Sequence, residues 1–503
     1  MIRRLLVANR GEIAVRIIRA ARRLGIRTVA VYSDADRRAY HAELADEVVA
    51  LGAAPATESY LDAAKVIRAA LDAKCDALHP GYGFLSERAE FAQACEEAGI
   101  TFVGPPASAM RMLGSKMDAK ALAVAAGVPV TPGYFEPGAD RARLEAEAQK
   151  LGYPVMLKAS AGGGGRGMRI VTDPASFREQ FDLATDEALK GFGDGSMMVE
   201  KLIAAPRHIE VQVLADSHGN VACLFERECS VQRRHQKLLE ESPSPLFLPG
   251  STHASLWQEM RASAEELVRR SGYRNAGTVE FMVDEQAGQY YFLEVNARLQ
   301  VEHPVTECVT GLDLVEWQLR VAAGEVLDLP SWLMEGDRRA ISGHAIEARI
   351  IAEDPSRGFA PCTGVILAWA PPTDPSVRVD SGFRAGDEIS HHYDSLLAKV
   401  IAHGQTRSDA LRRLRDALED FHILGVRTNI PFLLEVLSHP RFVEGRLDTN
   451  FLQEEFSEWA PGADWPPELA NLCRVAGSSA TGLAREEVQG AWADQGDWRI
   501  YGG

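Results

Sequence analysis

The sequence predicts a combined α/β and α+β protein: an N-terminal Rossmann-like parallel sheet, a middle unit built around a glycine-rich loop, and a C-terminal mixed α/β unit. Three observations carry this. Apolar runs alternate with amphipathic segments through the first hundred residues, a strand at 153–159 runs into four adjacent glycines, and hairpin signals recur between 209 and 295. At 503 residues the chain exceeds one ordinary core, and 46% apolar with 25% charged residues is the composition of a soluble globular protein.

Residues 4–9 read as a buried strand and 12–24 as an amphipathic helix with Ile13, Ile17, Ala20 and Leu24 on one stripe. A second strand covers 28–32. The rhythm continues through 60–70, 77–79 and 91–98 and ends at Thr101-Phe102-Val103-Gly104-Pro105-Pro106, which implies a parallel, doubly wound sheet. No GxGxxG fingerprint is present, so dinucleotide binding is not supported. A second unit opens near Gly114-Ser115-Lys116, with strands at 153–159, 197–202, 209–214 and 221–226; His218-Gly219-Asn220 turns between the last two. Strands 279–283 and 289–295 pair through a turn at 284–288. The third unit, from about Arg339 to Asp448, mixes strands 343–351 and 396–403 with a helix at 407–420. No internal repeat is evident. From about Ser457 four of the eight tryptophans (459, 465, 492, 498) stand among Pro, Gly, Asp and Ser, as a linker with aromatic anchors or the start of a further module.

A net charge of −17 argues against a general nucleic-acid binder, while leaving room for a local basic pocket. The seven cysteines (75, 95, 223, 229, 308, 362, 473) are scattered without a CxxC pair, which points to reduced thiols in a cytoplasmic compartment. The apolar start is interrupted by Asn9-Arg10-Gly11-Glu12, so it reads as a strand and not a signal peptide, and no apolar stretch is long enough to span a bilayer.

The chemistry concentrates in Glu294-Val295-Asn296-Ala297-Arg298-Leu299-Gln300-Val301-Glu302-His303-Pro304. Strand alternation puts Glu294 and Asn296 on one face, with Phe292 and Val295 left to pack, and Glu280 joins them from the partner strand. Converging oxygen donors suit Mg²⁺ or Mn²⁺, and a neighbouring arginine suits an anion; together they indicate phosphoryl chemistry. An exposed acidic hairpin is the plainer alternative. The loop Gly162-Gly163-Gly164-Gly165-Arg166-Gly167 follows Lys158 at a strand end, fitting a mobile cover over nucleotide phosphates better than a surface linker. It is not a Walker A loop. The run Glu226-Arg227-Glu228-Cys229-Ser230-Val231-Gln232-Arg233-Arg234-His235-Gln236-Lys237 reads, taken alone, as a solvated charged face, although its dense mix of Arg, His and Lys could also hold phosphate- and bicarbonate-like anions. His79-Pro80-Gly81-Tyr82-Gly83-Phe84-Leu85-Ser86-Glu87 is a shaped loop at a strand's carboxyl end, and His208-Ile209-Glu210 puts a His and a Glu on one strand face.

Asn9-Arg10-Gly11-Glu12-Ile13-Ala14, the 79–87 loop, the glycine loop, Gln232 to Lys237 and Glu294 to Glu307, in this order over about residues 1–450, closely resemble biotin carboxylase, the ATP-grasp component of biotin-dependent acyl-CoA carboxylases. The resemblance implies an N-terminal Rossmann-like domain (1–113), an ATP-grasp domain (114–334) with a glycine-rich lid at about 132–203, a C-terminal domain (335–450) and a tail or linker (451–503). It implies ATP contacts at Lys116, Lys158, Gly163, Gly164, Gly165, Glu200, Lys201, Leu202, His208, Gln232 and His235, and metal ligands Glu280, Glu294 and Asn296 for two Mg²⁺ or Mn²⁺ ions. It implies a bicarbonate pocket of Lys237, Arg298, Gln300, Val301 and Glu302, with Glu302 the general base and Arg349 facing the biotin ureido oxygen. The partners implied are a biotin carboxyl carrier protein or domain, a carboxyltransferase subunit and a second copy of the chain, with neither nucleic acid nor membrane. No Met-Lys-Met carrier signature occurs, so biotin arrives on another protein or the chain is a fragment. Two alternatives stand beside this reading: another ATP-grasp carboxylate–amine ligase, such as a carbamoyl-phosphate synthetase half, and a catalytically silent nucleotide-binding scaffold.

Overall fold

The computed structural model describes residues 2–160, 167–248 and 250–460. Five strands, β1 (Arg4–Val7), β2 (Arg27–Ser33), β3 (Glu47–Gly52), β4 (Ala77–His79) and β5 (Thr101–Phe102), form a parallel sheet in the order β3-β2-β1-β4-β5. The helix Gly11–Arg23 buries Ile13, Ile17 and Ala20, and Arg22 and Arg23 in its last turn complement its dipole. The helix expected at 60–70 is Ala63–Asp72, because the Asp62 carboxylate accepts from Lys65 N at 3.0 Å and caps it there. Strand β3 was not anticipated: it is a sheet edge with Val48 47% exposed, and its short apolar run Val48-Val49-Ala50-Leu51 was passed over.

A four-stranded antiparallel sheet follows, with β6 (Gly133–Tyr134), β7 (Val155–Ala159), β8 (Met168–Val171) and β9 (Met197–Lys201) in the order β6-β9-β7-β8. It has its own small core, including Leu144, Leu157, Phe177 and Val199. Gly163, Gly164, Gly165 and Arg166 of the glycine loop lie outside the described residues, as do Cys473, Trp465, Trp492 and Trp498. Trp459 is described: its ring packs on Phe359 and Phe432, and its Nε1 donates to Glu435 at 2.6 Å.

The centre of the molecule is one antiparallel sheet of eight strands. It comprises β10 (Arg207–Ala215), β11 (Val221–Arg233), β12 (Gln236–Ser242), β13 (Asn275–Asp284), β14 (Gln289–Asn296), β15 (His344–Ile351), Val377–Ser381 and Leu396–Gly404. Strand β15 pairs with β12, so the sheet passes without a break from the second unit into the third. Two features depart from simple alternation. Strict period two would put Phe292 on the face of Glu294, but the pairs Phe281–Phe292 and Glu280–Glu294 leave Leu293 as a one-residue bulge. The bulge turns Phe292 to the core side with Val295 and leaves Glu294 facing the site.

The second departure corrects the reading of 226–237 as a solvated face over its first half, 226–231; Arg234, His235 and Gln236 are exposed, as read. Strand β11 runs to Arg233 and is buried through Val231. Its charges are neutralised in pairs: Arg227 with Glu210, Glu228 with Arg207 at 2.9 Å, and Glu226 with Arg338. Burial becomes tolerable once each charge has a partner.

Glu241 on β12 fastens the third unit to this sheet, accepting from His344 Nε2 at 2.6 Å and Arg407 Nε at 2.7 Å. Burial opposes its ionisation, yet Arg407 and His344 bring the carboxyl down to about 2 from the ordinary 4.5. Such a group stabilises the fold above its unfolded value and loses that contribution as pH falls through the folded value. Glu241→Gln should therefore cost on the order of 3 kcal/mol at neutral pH and flatten the loss of stability between about 4.5 and about 2, as read by urea unfolding across that range.

Candidate active site

The ligand-type side chains converge on one face of the eight-stranded sheet around the Lys237 ammonium. Lys237 on β12 donates to Glu210 Oε2 (2.6 Å) on β10, Glu280 Oε1 (2.9 Å) on β13 and Glu302 Oε1 (2.7 Å) before the helix His303–Thr310. Burial disfavours the ammonium, but the three carboxylates outweigh it and hold Lys237 protonated well above its usual range. Glu302 is fully buried and shared with Arg349, whose guanidinium lies 2.9 Å from Glu302 Oε2 and also contacts Glu240. Burial would raise the Glu302 carboxyl, yet Lys237, Arg349 and Arg227 keep it well below the usual carboxylate range. It is a desolvated carboxylate held ionised.

Behind this cluster Arg227 fills the guanidinium donor fork inside the protein. Besides Glu210, it donates to Gln212 Oε1 at 2.6 Å and to the hydroxyls of Thr306 and Thr278, both at 3.0 Å.

Glu280 and Glu294 are register partners across β13 and β14, and Asn296 follows two positions along. Glu280 also lies 3.2 Å from His208 Nε2 and accepts from Gln300 Nε2 at 3.2 Å; Lys237 and His208 overcome burial to depress its carboxyl strongly. Glu294 is instead drawn to Lys116, 3.5 Å away at the start of the helix Lys116–Ala125. Asn296 Oδ1 accepts from Arg298 at 3.1 Å. These are hard oxygen donors on one face, a set that fits a divalent cation such as Mg²⁺. Among the described residues, the ligand atoms of His208, Glu210 and Glu280 also lie within 4.8 Å of one another. Arg298 is held by Glu87 at 2.9 Å from the 79–87 loop and by Gln300 at 2.9 Å, and the Val301 carbonyl accepts from Lys399 at 2.7 Å.

On the small sheet, Lys158 Nζ lies 2.7 Å from Glu200 Oε2, and a second ammonium, Lys120, lies 2.6 Å from Oε1. Burial opposes ionisation of Glu200, but both lysines hold it down to about 2. Lys201 donates to the Gly152 carbonyl at 2.7 Å, and Leu202 continues the chain beside Pro154. Gln232 Nε2 meets His208 Nδ1 at 2.7 Å. His235 and Arg234 form the tip of the β11–β12 hairpin with φ of +63° and +50°. A two-residue hairpin needs left-handed backbone at both central positions, which Asn-Gly normally supplies; Arg-His there is strained, and such strain accumulates at functional sites.

The 79–87 loop is a built element. Asn9 Nδ2 donates to the carbonyls of Pro80 and Tyr82, both at 2.7 Å. Gly81 (φ +65°) has no room for a Cβ, which would stand 2.8 Å from that amide nitrogen. Residues missed from the sequence are Lys120, Arg227, Glu240, Glu347 and Lys399. All sit in buried helix or strand positions; a lone charge within the apolar run Leu397-Ala398-Lys399-Val400 is a signal that would have found Lys399, whereas Arg227 and Glu240 stand beside other charges and carry no such signal.

Three family models match the chain in order. They are the N-terminal domain of biotin carboxylase over residues 1–110, the ATP-binding domain of the carbamoyl-phosphate synthase L chain over 115–329, and the C-terminal domain of biotin carboxylase over 347–454. The mitochondrial methylcrotonoyl-CoA carboxylase subunit alpha of Oryza sativa subsp. japonica is 50% identical over 453 residues, covering 90% of this chain and 60% of its own. The propionyl-CoA carboxylase alpha chain of Ruegeria pomeroyi is 46% identical over 500 residues, covering 95% and 72%. The chain thus spans about 60% of the length of the first of these relatives. Among solved structures, the biotin carboxylase domain dimer of Hydrogenobacter thermophilus 2-oxoglutarate carboxylase, in complex with MgADP, ADP and bicarbonate, superposes with a TM-score of 0.86 at 43% identity, covering 92% of this chain and 99% of that one. The beta-gamma-ATP complex of Campylobacter jejuni biotin carboxylase gives 0.85 at 40% identity, covering 90% and 99%.

Arg227→Met should cost about 3–5 kcal/mol in denaturant unfolding, because Glu210 loses a fully buried partner. Adding Glu210→Gln should recover part of that loss, since the orphaned charge is then gone.

Proposed function

This chain belongs to the biotin carboxylase family, and on that premise we propose that it carboxylates biotin with ATP and bicarbonate, the first half-reaction of an acyl-CoA carboxylase. The observation that carries the reading is the buried, ionised Glu302 clasped by Lys237 and Arg349 on the sheet that bears Glu280 and Glu294. We assign Lys116, Lys158, Gly163, Gly164, Gly165, Glu200, Lys201, Leu202, His208, Gln232 and His235 to ATP. Glu280, Glu294 and Asn296 would hold Mg²⁺ or Mn²⁺, which when bound neutralises phosphate charge. Lys237, Arg298, Gln300, Val301 and Glu302 take bicarbonate, and Arg349 takes the biotin ureido oxygen.

Bicarbonate is a poor electrophile, so it needs activation by the γ-phosphate. Glu302 removes its proton, and the freed oxygen attacks the γ-phosphorus, breaking the β–γ phosphoanhydride bond and releasing ADP, while the lysines offset charge on the phosphates. The carboxyphosphate formed yields CO₂ and phosphate; that phosphate takes the N1′ proton of biotin, and N1′ then attacks the CO₂ carbon to give carboxybiotin. Arg349 offsets the enolate charge on the ureido oxygen, which is worth about 3 kcal/mol by comparison with oxyanion donors elsewhere. The salt-bridge pattern also tunes the base. In the free protein Lys237, Arg349 and Arg227 outweigh burial and keep Glu302 ionised; as Lys237 and Arg349 turn to the substrates, only Arg227 still opposes burial and the basicity of Glu302 rises.

The central match to a carbamoyl-phosphate synthase domain is flanked on both sides by biotin carboxylase matches, and Arg349 has no task in an amine ligase. As partners we propose a carrier protein or domain bearing biotin, a carboxyltransferase subunit and a second copy of this chain. A reducing, cytoplasm-like compartment belongs to the same proposal; the six described cysteines, Cys75, Cys95, Cys223, Cys229, Cys308 and Cys362, are all free thiols.

ATP cleavage should be slow alone and faster with bicarbonate plus free biotin; phosphate release indifferent to both would end the proposal. Glu302→Gln should lower kcat by about 10²–10⁴-fold while leaving ATP affinity nearly intact. The acid limb of kcat/KM, which reports the free protein, should lie below that of kcat in a pH–rate series, because substrate binding relieves the depression of Glu302. Arg298→Lys should impair bicarbonate use, since an ammonium cannot reproduce the planar fork that meets Glu87, Gln300 and Asn296.

A further inference from the structure

Two glutamates that this reaction leaves unused face each other within the central sheet. Glu240 on β12 and Glu347 on β15 are register partners, so both side chains leave the same face side by side. Both are buried, at 1% and 0% exposure. Glu240 Oε1 accepts from Arg349 Nε at 2.6 Å, whereas Glu240 Oε2 and both oxygens of Glu347 receive no hydrogen bond. Two adjacent carboxylates with three of four oxygens lacking a donor are costly to keep charged, and a proton on one of them removes a charge and supplies a donor.

We propose that Glu240 and Glu347 share one proton and act as a positioning pair for Arg349. The singly protonated pair offers the guanidinium one carboxylate and leaves the rest of its fork for Glu302 and the ureido oxygen. The doubly ionised pair draws Arg349 back. Arg349 does not itself titrate, so what varies with pH is the charge beside it. Its role toward biotin rests on the function proposed above; the shared proton does not.

The surroundings agree. Burial, assisted by the Glu302 charge and opposed by Arg349 and Lys237, raises the Glu240 carboxyl to about 7. Burial likewise pushes Glu347 well above the carboxylate range, against the pull of Lys399 and Arg349. Facing the pair are Arg349 on β15, Lys399 on Leu396–Gly404, Lys237 on β12, Cys229 on β11, and Glu302 and Cys308 at and within the helix His303–Thr310. A raised folded value means the pair is protonated below it and loses that proton as pH rises through it.

Infrared difference spectroscopy of the full chain between neutral and alkaline pH reads a buried carboxylic acid without any need for activity. We expect its carbonyl band at neutral pH in the native chain, bleached on alkaline titration, and missing from Glu347→Gln. In parallel, the alkaline limb of kcat for free biotin should be lost from its native position in Glu347→Gln, where a doubly ionised pair cannot form, with KM for ATP unchanged. Absence of the band from the native chain, or an unshifted alkaline limb in folded Glu347→Gln, would overturn the proposal. The native spectrum decides the matter even if the variant does not fold. A chain with the band but without biotin-dependent turnover loses the functional reading and keeps the proton; turnover without the band does the reverse.

Discussion

The site is organised by one ammonium group. Lys237 gathers Glu210, Glu280 and Glu302 from three other parts of the chain. Three carboxylates cannot remain together out of water without it, and one ammonium does not balance them. The surplus negative charge explains why Arg227 is sunk behind Glu210 and why Arg349 reaches Glu302 from the neighbouring strand. An incoming anion finds these cations already engaged, so it binds by exchange: it takes over hydrogen bonds that carboxylates now hold. Such a pocket is preorganised without being a bare patch of positive charge, and it is compatible with an overall charge of −17.

Two local irregularities aim side chains into the pocket. The bulge at Leu293 returns Phe292 to the core while Glu294 remains opposite Glu280. The left-handed pair Arg234–His235 closes the β11–β12 hairpin tightly enough that Gln236 begins the return strand opposite Arg233 and Lys237 follows opposite Gln232. Both are small deviations from ideal geometry that a regular sheet would have no reason to carry.

Much of this was legible in the sequence. The parallel N-terminal sheet, the β13–β14 hairpin and the grouping of Glu280, Glu294 and Asn296 followed from periodicity, because one buried face imposes alternation. The placement of Phe292 and Glu294 on opposite faces came out as expected only because of the bulge, which period two does not contain. Strand β11 was the main misreading. Its run of charges looks solvated because a sequence window sees Glu226, Arg227 and Glu228 without Arg338, Glu210 and Arg207, which neutralise them from other strands. The pair Glu240–Glu347 escaped for the same reason: more than a hundred residues separate two side chains that the register sets side by side.

The hydrogen bonds between β12 and β15 carry a consequence for how such chains diversify. Lys237 and Glu240 lie on one of these strands and Arg349 on the other, so the distance between the two cations is set by backbone register and not by a linker. The central and C-terminal units are therefore not interchangeable cassettes. A recombination that joined them from different ancestors, or an insertion of one residue in either strand, would displace a guanidinium by a whole strand step, and evolution at this seam has to proceed by substitution.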